Sequence, residues 1–150
     1  MRQKITPIDT EVGFLQGRDT IYYSKLTSIS DNEYCITGEL NGNNCSKIAD
    51  KDADAEIKFS ITFIGVLLFK MLELDFDDVQ YASCFDLVEH SNKVVEMRAR
   101  DKRAMIGKID RGYDENNKFS DEIYHQHFVL RTYDVVYEIV AQHYDLVIKK

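Results

Sequence analysis

The feature that most constrains the fold is a run in the middle of the chain in which apolar and polar residues alternate strictly. Its apolar members are Ile57, Phe59, Ile61 and Phe63, and polar residues stand between them. Because successive side chains of a strand point to opposite faces, this run predicts a β-strand with one buried and one solvent-exposed face. Such strands are typical of antiparallel sheets.

The alternation changes phase shortly after this run. Apolar residues fall on odd numbers up to Phe63 but on even numbers from Leu72 to Phe76. One regular strand cannot carry both phases, so the chain must break between them. Gly65 is the expected position of a bulge or bend, because glycine permits backbone dihedral angles that other residues avoid. The two runs are either two strands or one strand bent at this glycine.

Two more strands are expected before this region. Period-two alternation predicts a strand over 33–40, and a weaker pattern predicts one over 20–27. The sequence Asn-Gly-Asn-Asn at 41–44 contains residues that tolerate positive φ, so the chain is expected to turn there.

A helix is expected near residues 91–106. Ser91 is typical of the residue that caps a helix N-terminus, and Gly107 is typical of the residue that ends one. Charged residues interrupt the apolar stripe of this segment, so the helix should lie on the surface. The flanking segments 78–90 and 107–120 show no regular pattern and predict irregular structure.

The last thirty residues are rich in β-branched and aromatic side chains. They predict strands over 124–132, 135–141 and 144–148, with a turn at 133–134 between the first two. A short helix over 135–143 is an alternative, since apolar residues there also share one helical face. The β-branched residues of this segment favour the strand.

Together these patterns predict a single α+β domain over residues 1–150, built mainly from antiparallel β-sheet of sandwich- or barrel-like form, with one surface helix near 91–106. The expected core consists of Ile57, Phe59, Ile61, Phe63, Leu72, Leu74, Phe128, Leu130, Ile139 and Val140.

The charge balance excludes some classes of partner. The chain has 19 Lys and Arg against 26 Asp and Glu, a net charge of −7. Nucleic acid and anionic membranes require a positive surface field, so neither is expected as a partner. The longest apolar run, 61–69, is too short to span a bilayer, and no secretory signal is expected at the N-terminus. Three distant cysteines predict reduced thiols in a cytoplasmic protein.

Four carboxylates form the first candidate site. They are Glu73, Asp75, Asp77 and Asp78, and the first three would share one face of a strand. Such a cluster serves to prevent edge pairing of sheets, to hold a divalent ion, or to attract a basic protein partner. We take contact with a basic partner as the leading functional hypothesis for these residues.

Two histidines form the second candidate site. His125 and His127 would project from one face of a strand, and two imidazoles are a common beginning of a Zn, Fe or Mn site. His143, Asp121 or Glu122 could supply a third ligand. The alternative is that the two histidines are half-buried, hydrogen-bonded residues of the core.

Motifs of common catalytic sites are missing from the sequence. It contains no GxSxG, no GxxxxGK[ST] and no GxGxxG, and a nucleophilic role for Cys84 has no supporting pattern. No cofactor is therefore expected. A non-enzymatic protein-binding module is favoured, with a metal-binding domain or metal-dependent enzyme as the alternative and a homodimer joined through a sheet edge as a further possibility.

The stretch from His127 to Ala141 resembles the ending of many small, acidic, uncharacterised bacterial proteins. Their pattern is HY, a hydrophobic run, YD and EvIA, preceded by a helix that starts with Ser-x-aromatic. Here Phe128 replaces the usual Tyr, and Val94 or Val95 stands where an aromatic residue is common. Some of these proteins are similar to immunity proteins that neutralise polymorphic toxins. The resemblance implies a bacterial binding protein and assigns no site residues.

Overall fold

The computed structural model describes residues 2–16, 20–47, 56–73, 82–110 and 124–149. In these residues two antiparallel β-sheets pack face to face, and the α-helix packs on one of them. The prediction of a mainly antiparallel α+β fold with one helix is confirmed for this part of the chain, and the sheet arrangement is that of a sandwich.

One sheet has five strands. In spatial order these are β1 (Lys4–Pro7), β6 (Phe85–Glu89), β7 (Gln126–Arg131), β8 (Val135–Ala141) and β5 (Leu68–Glu73), numbered along the chain. All neighbouring pairs are antiparallel, so β1 and β5 are the edge strands.

The other sheet has four strands. In spatial order these are β2 (Ile21–Ser30), β3 (Glu33–Asn41), β4 (Glu56–Ile64) and β9 (His143–Lys149). Its strands confirm the predictions over 20–27, 33–40, 57–63 and 144–148. The expected turn after β3 is a short 3-10 helix, Gly42–Asn44.

Gly65 is where the chain passes from one sheet to the other. Its φ of +67° lies in the region that favours glycine, and a Cβ atom here would collide with the side chain of Gln142. β4 ends just before it and β5 begins shortly after it, in the opposite sheet. The predicted break is confirmed, and Leu72, the described apolar residue of the second run, lies in a separate strand, β5.

The core lies between the two sheets and is rich in aromatic side chains. Phe63 of the four-stranded sheet lies with its ring centroid 5.6 Å from that of Phe128, and the Tyr144 ring meets Phe85 edge-on at 5.0 Å. Seven of the ten predicted core residues are buried, namely Phe59, Ile61, Phe63, Phe128, Leu130, Ile139 and Val140. Ile57 and Leu72 are partly buried, and Leu74 lies outside the described residues.

The prediction of irregular structure over 78–90 was wrong for its described part, because residues 85–89 form β6. Asp86 breaks the apolar pattern of this strand although it is completely buried. Its carboxylate accepts hydrogen bonds from the Ser83 hydroxyl at 2.6 Å and from the Ala82 N–H at 2.7 Å. These hydrogen bonds offset the free-energy cost of burying the carboxylate, and no pattern in the sequence predicts them.

The helix, α1, spans Asn92–Asp110. Ser91 is its N-cap as predicted, since the Ser91 Oγ accepts hydrogen bonds from the N–H groups of Lys93 and Val94 at 3.2 and 3.3 Å. Gly107 does not end the helix, so the predicted loop was wrong at its first four residues. α1 contacts β7 and β8, which explains why β8 is buried on both faces and why its pattern also allowed a helix. The strand prediction for 135–141 is confirmed.

Candidate functional site

The predicted acidic cluster begins at the edge of the five-stranded sheet. Glu73 is the last residue of β5, an edge strand, and it is exposed. Asp75, Asp77 and Asp78 lie outside the described residues. Glu73 is paired in register with Val135 of β8, so its position relative to the rest of the sandwich is defined.

An apolar groove adjoins this position, on the side of the sandwich where edge strands β2 and β5 lie. It has a volume of about 420 Å³, and its lining includes Tyr22, Leu26, Met71, Asp134, Val135 and Tyr137. Tyr22 is 50% exposed and Met71 is 55% exposed. The groove therefore has accessible apolar surface and the carboxylate of Asp134 in its lining. Glu73 is paired with the lining residue Val135 and adds a second carboxylate beside the groove.

The two predicted histidines line a second groove, of about 650 Å³, at the start of α1. His127 is 6% exposed and is held on both sides. Its Nδ1 lies 2.7 Å from the Ser91 Oγ, and its Nε2 lies 2.9 Å from Oε1 of Glu138. His125 is half-buried, and its Nδ1 has no hydrogen-bond partner among the described residues.

None of the third ligands proposed for a metal ion is brought to this pair within the described residues. His143 is exposed at the start of β9 in the other sheet, and Asp121 and Glu122 lie outside the described residues. The described part of the chain has no group of three or more His, Cys, Asp or Glu residues arranged to hold a metal ion. The metal hypothesis stays a prediction.

The charges around His127 favour an ionised Glu138. The His127 imidazole beside this carboxylate is the main cause that lowers the pKa of Glu138, and Lys70 and Lys93 act in the same direction, whereas burial opposes them. Glu138 is paired in register with Lys70 of β5, and Lys93 belongs to the first turn of α1. Helix and sheet thus jointly stabilise the negative charge.

The second histidine of the groove is in a different environment. Burial lowers the pKa of His125, the nearby charge of Arg98 lowers it further, and Asp101 partly opposes them. The His125 ring is therefore neutral at neutral pH, which leaves it able to accept or donate a hydrogen bond from the wall of the groove.

Cys84, the remaining candidate nucleophile, is 1% exposed. Burial raises the pKa of its thiol, although Thr20 and Arg131 oppose this effect. A buried thiol with a raised pKa is a poor nucleophile, because the thiolate is the reactive form. Cys35, Cys45 and Cys84 form no disulfide bond with one another.

Sequence reasoning identified Ser91 only as a helix cap and did not single out Glu138. Both residues are buried against His127, from which they are separated by 36 and 11 positions along the chain. The one available signal was a glutamate inside the otherwise apolar run Val135–Ala141, because a buried carboxylate requires a partner.

No described segment forms a helix with the length and apolar character needed to cross a bilayer. Comparison of the chain with protein families, with curated proteins and with solved structures finds no match.

Proposed function

We propose that the protein is a binding module for a basic protein partner, which it contacts along the side of the sandwich formed by β2 and β5. The observation that carries the proposal is the accessible apolar groove beside Glu73 and Asp134. Contiguous exposed apolar surface bordered by polar groups is typical of protein interfaces. This role requires no catalytic step.

The edge strands support this choice of surface. β1 has only four residues and ends with Pro7, and β9 carries His143, Asp145 and Lys149. Proline, short length and charge are the features that keep a free edge from pairing with another chain. β2 has ten residues, and Lys25 is its single charged residue. It is the least protected of the four edges and the best suited to contact another polypeptide.

The distribution of charge supports a basic partner. Residues 91–112 hold seven Lys and Arg against three Asp and Glu, so the rest of the chain carries −11. Asp75, Asp77 and Asp78 come within five residues after Glu73 in the sequence and add to the negative charge of this part of the chain. The field of such charges accelerates encounter with a positively charged protein.

More specifically, we propose that the basic partner is a toxin, which this protein neutralises in a bacterial cytoplasm. This proposal draws on the resemblance of the segment from His127 to Ala141 to proteins similar to immunity proteins. A second copy of this chain is a less suitable occupant, because two surfaces of the same negative charge repel each other.

The test begins with capture of a partner from the host and measurement of association rates. In a variant with Glu73→Gln, Asp75→Asn, Asp77→Asn and Asp78→Asn, association should be slower and less dependent on salt. Met71→Lys should also weaken binding, through an unpaired positive charge in the groove. Glu39→Gln with Asp145→Asn, which removes charge from the opposite face of the four-stranded sheet, is the matched control and should have a smaller effect.

The proposal fails if the captured partner is acidic, if the two groove variants associate at the rate of the unmodified protein, or if light scattering shows that the groove joins two copies of this chain.

A further inference from the structure

Beyond partner binding, we propose that the groove at the start of α1 is a catalytic site in which Ser91, His127 and Glu138 act together to hydrolyse carboxylic esters. This site lies on the helix-covered face of the five-stranded sheet and does not include the groove beside β2 and β5.

The three side chains follow the order of a serine hydrolase triad. The Ser91 Oγ lies 2.7 Å from one ring nitrogen of His127, and the Glu138 carboxylate lies 2.9 Å from the other. Nucleophile, base and carboxylate within this reach are the recognised signature of an activated serine. In the usual triad Nε2 faces the serine and Nδ1 faces the acid, whereas here Nδ1 faces the serine and Nε2 faces the acid. The roles are the same, because one ring nitrogen still takes the serine proton and the other still faces the carboxylate.

The ionised Glu138 determines which nitrogen of His127 carries the proton. A carboxylate accepts hydrogen bonds only, so the neutral ring places its proton on Nε2 and leaves Nδ1 as the acceptor for the Ser91 hydroxyl. The Nε2–H is not well aligned with the Glu138 oxygen, as is common for catalytic hydrogen bonds before substrate binds. Glu138 is thus a positioning residue, and His127 is the base.

The backbone before the nucleophile has an unusual conformation. β6 ends at Glu89, His90 has a φ of +57°, Ser91 follows, and α1 begins at Asn92. A positive φ is uncommon for a residue other than glycine, and such strain concentrates at functional sites. A strand, a tight turn, a serine and a helix also follow one another at the nucleophile turn of α/β-hydrolases, but there the serine itself is the strained residue, whereas here it is His90 and the sheet is antiparallel.

The start of α1 offers a donor for the oxyanion. The Asn92 N–H, from the residue after the nucleophile, donates to the side-chain amide oxygen of the exposed Gln3 at 2.9 Å. This partner is an exposed side-chain amide oxygen, which a substrate carbonyl would displace to reach the Asn92 N–H. The N–H groups of Lys93 and Val94 donate to the Ser91 Oγ and favour its deprotonated form, as does the helix dipole.

The groove has the size and lining for a small ester. Its volume of about 650 Å³ falls in the range of small-molecule sites, and Leu87, Val94 and Val95 supply apolar surface for an acyl group. Ser91 is 6% exposed and lines this groove, so its environment is largely shielded from water.

The reaction has two balanced steps. The Ser91 Oγ attacks the ester carbonyl carbon while its proton passes to Nδ1 of His127; the ester C–O bond then breaks and Nδ1 gives the proton to the leaving alcohol. Water attacks the acyl-serine and loses a proton to Nδ1, and that proton returns to the Ser91 Oγ as the carboxylic acid leaves.

The test uses diisopropyl fluorophosphate as a covalent probe and p-nitrophenyl butyrate as a substrate. The folded protein should gain one phosphoryl adduct on the peptide that carries Ser91 and should hydrolyse the ester. Ser83, a buried serine beside a carboxylate but without a histidine contact among its hydrogen bonds, is the internal control and should stay unlabelled. His127→Gln should lower kcat by about 100-fold or more.

Ser91→Asn separates catalysis from helix capping, because asparagine is a good N-cap but not a nucleophile. This variant should keep the Tm of the parent protein and lose both labelling and hydrolysis. Glu138→Gln should lower kcat with little change in KM. A folded parent protein without an adduct on Ser91, or hydrolysis that persists in Ser91→Asn, would overturn the proposal.

Discussion

The two sheets of the sandwich differ in what covers their outer faces. In β9 of the four-stranded sheet, exposed residues alternate with partly buried ones from His143 to Lys149. In β8 of the five-stranded sheet, every residue after Val135 is buried, because the inner face packs on the core and α1 contacts the strand. The four-stranded sheet has a solvated outer face at β9, and the five-stranded sheet is covered on both sides at β8, although its edge strand β5 carries the exposed residues Lys70 and Met71.

The covered face contains buried polar and charged side chains, whereas the polar and charged side chains of the solvated face are exposed to water. His127 and Glu138 are both more than nine-tenths buried and lie against each other beneath α1. A buried carboxylate is costly unless a partner stabilises it, so the charge of Glu138 depends on His127. A charged residue on the solvated face has water as its partner and depends little on its neighbours.

The largest test of this difference is removal of one partner from the buried pair. His127→Ala leaves Glu138 buried and unpaired, and we expect a loss of about 3–5 kcal/mol in the free energy of unfolding. Asp145→Ala on the exposed face of β9 is the matched control, with an expected change within about 0.5 kcal/mol. Urea unfolding followed by circular dichroism measures both. Similar losses in the two variants would show that the sheets do not differ in this way.

A smaller and more specific effect is expected from pH. The pKa of Glu138 is lowered in the folded protein, mainly by His127, so its charge stabilises the fold above the ordinary pKa of glutamate and this contribution is lost as the pH falls through the lowered value. Glu138→Gln should therefore destabilise the protein at pH 7 by about 1–3 kcal/mol, the cost of removing the charged partner of a buried polar group.

The difference between Glu138→Gln and the parent should shrink as unfolding is measured from pH 7 down to the acid limit of the folded state. A difference that stays constant or grows on acidification would contradict the lowered pKa. Glu39→Gln, on the solvated face, is the control and should show little difference at any pH.

The contrast between the sheets also explains which parts of the fold the sequence predicts. Alternation identified β3 and β4 because one face of each strand meets water. It failed at β6, where Asp86 is buried and bound by Ser83 and Ala82, and it was ambiguous at β8, where burial on both faces removes the period of two. Apolar and polar residues alternate only where one face of a strand is exposed to solvent, so this pattern does not identify strands that are buried on both faces.

The sequence likewise predicts only those features of the candidate sites that depend on neighbouring residues in the chain. The capping role of Ser91 depends on neighbours in the sequence and was predicted correctly. His125 and His127 line one groove, but only His127 belongs to a strand, whereas both were predicted to do so. The contacts of His127 with Ser91 and Glu138 depend on how β7, β8 and α1 pack. No local pattern encodes such contacts, because they join residues that are distant in the chain.

The smallest expected effect concerns metal. Both ring nitrogens of His127 are engaged by Ser91 and Glu138, so metal coordination by this ring would have to displace one of these contacts and leave a buried polar group unsatisfied. We therefore expect substoichiometric zinc, iron and manganese in elemental analysis of the gently purified protein, and no change in Tm on addition of a chelator. A stoichiometric metal together with a lower Tm after chelation would instead restore His125 and His127 as ligands, and it would require that α1 releases His127 when the metal binds.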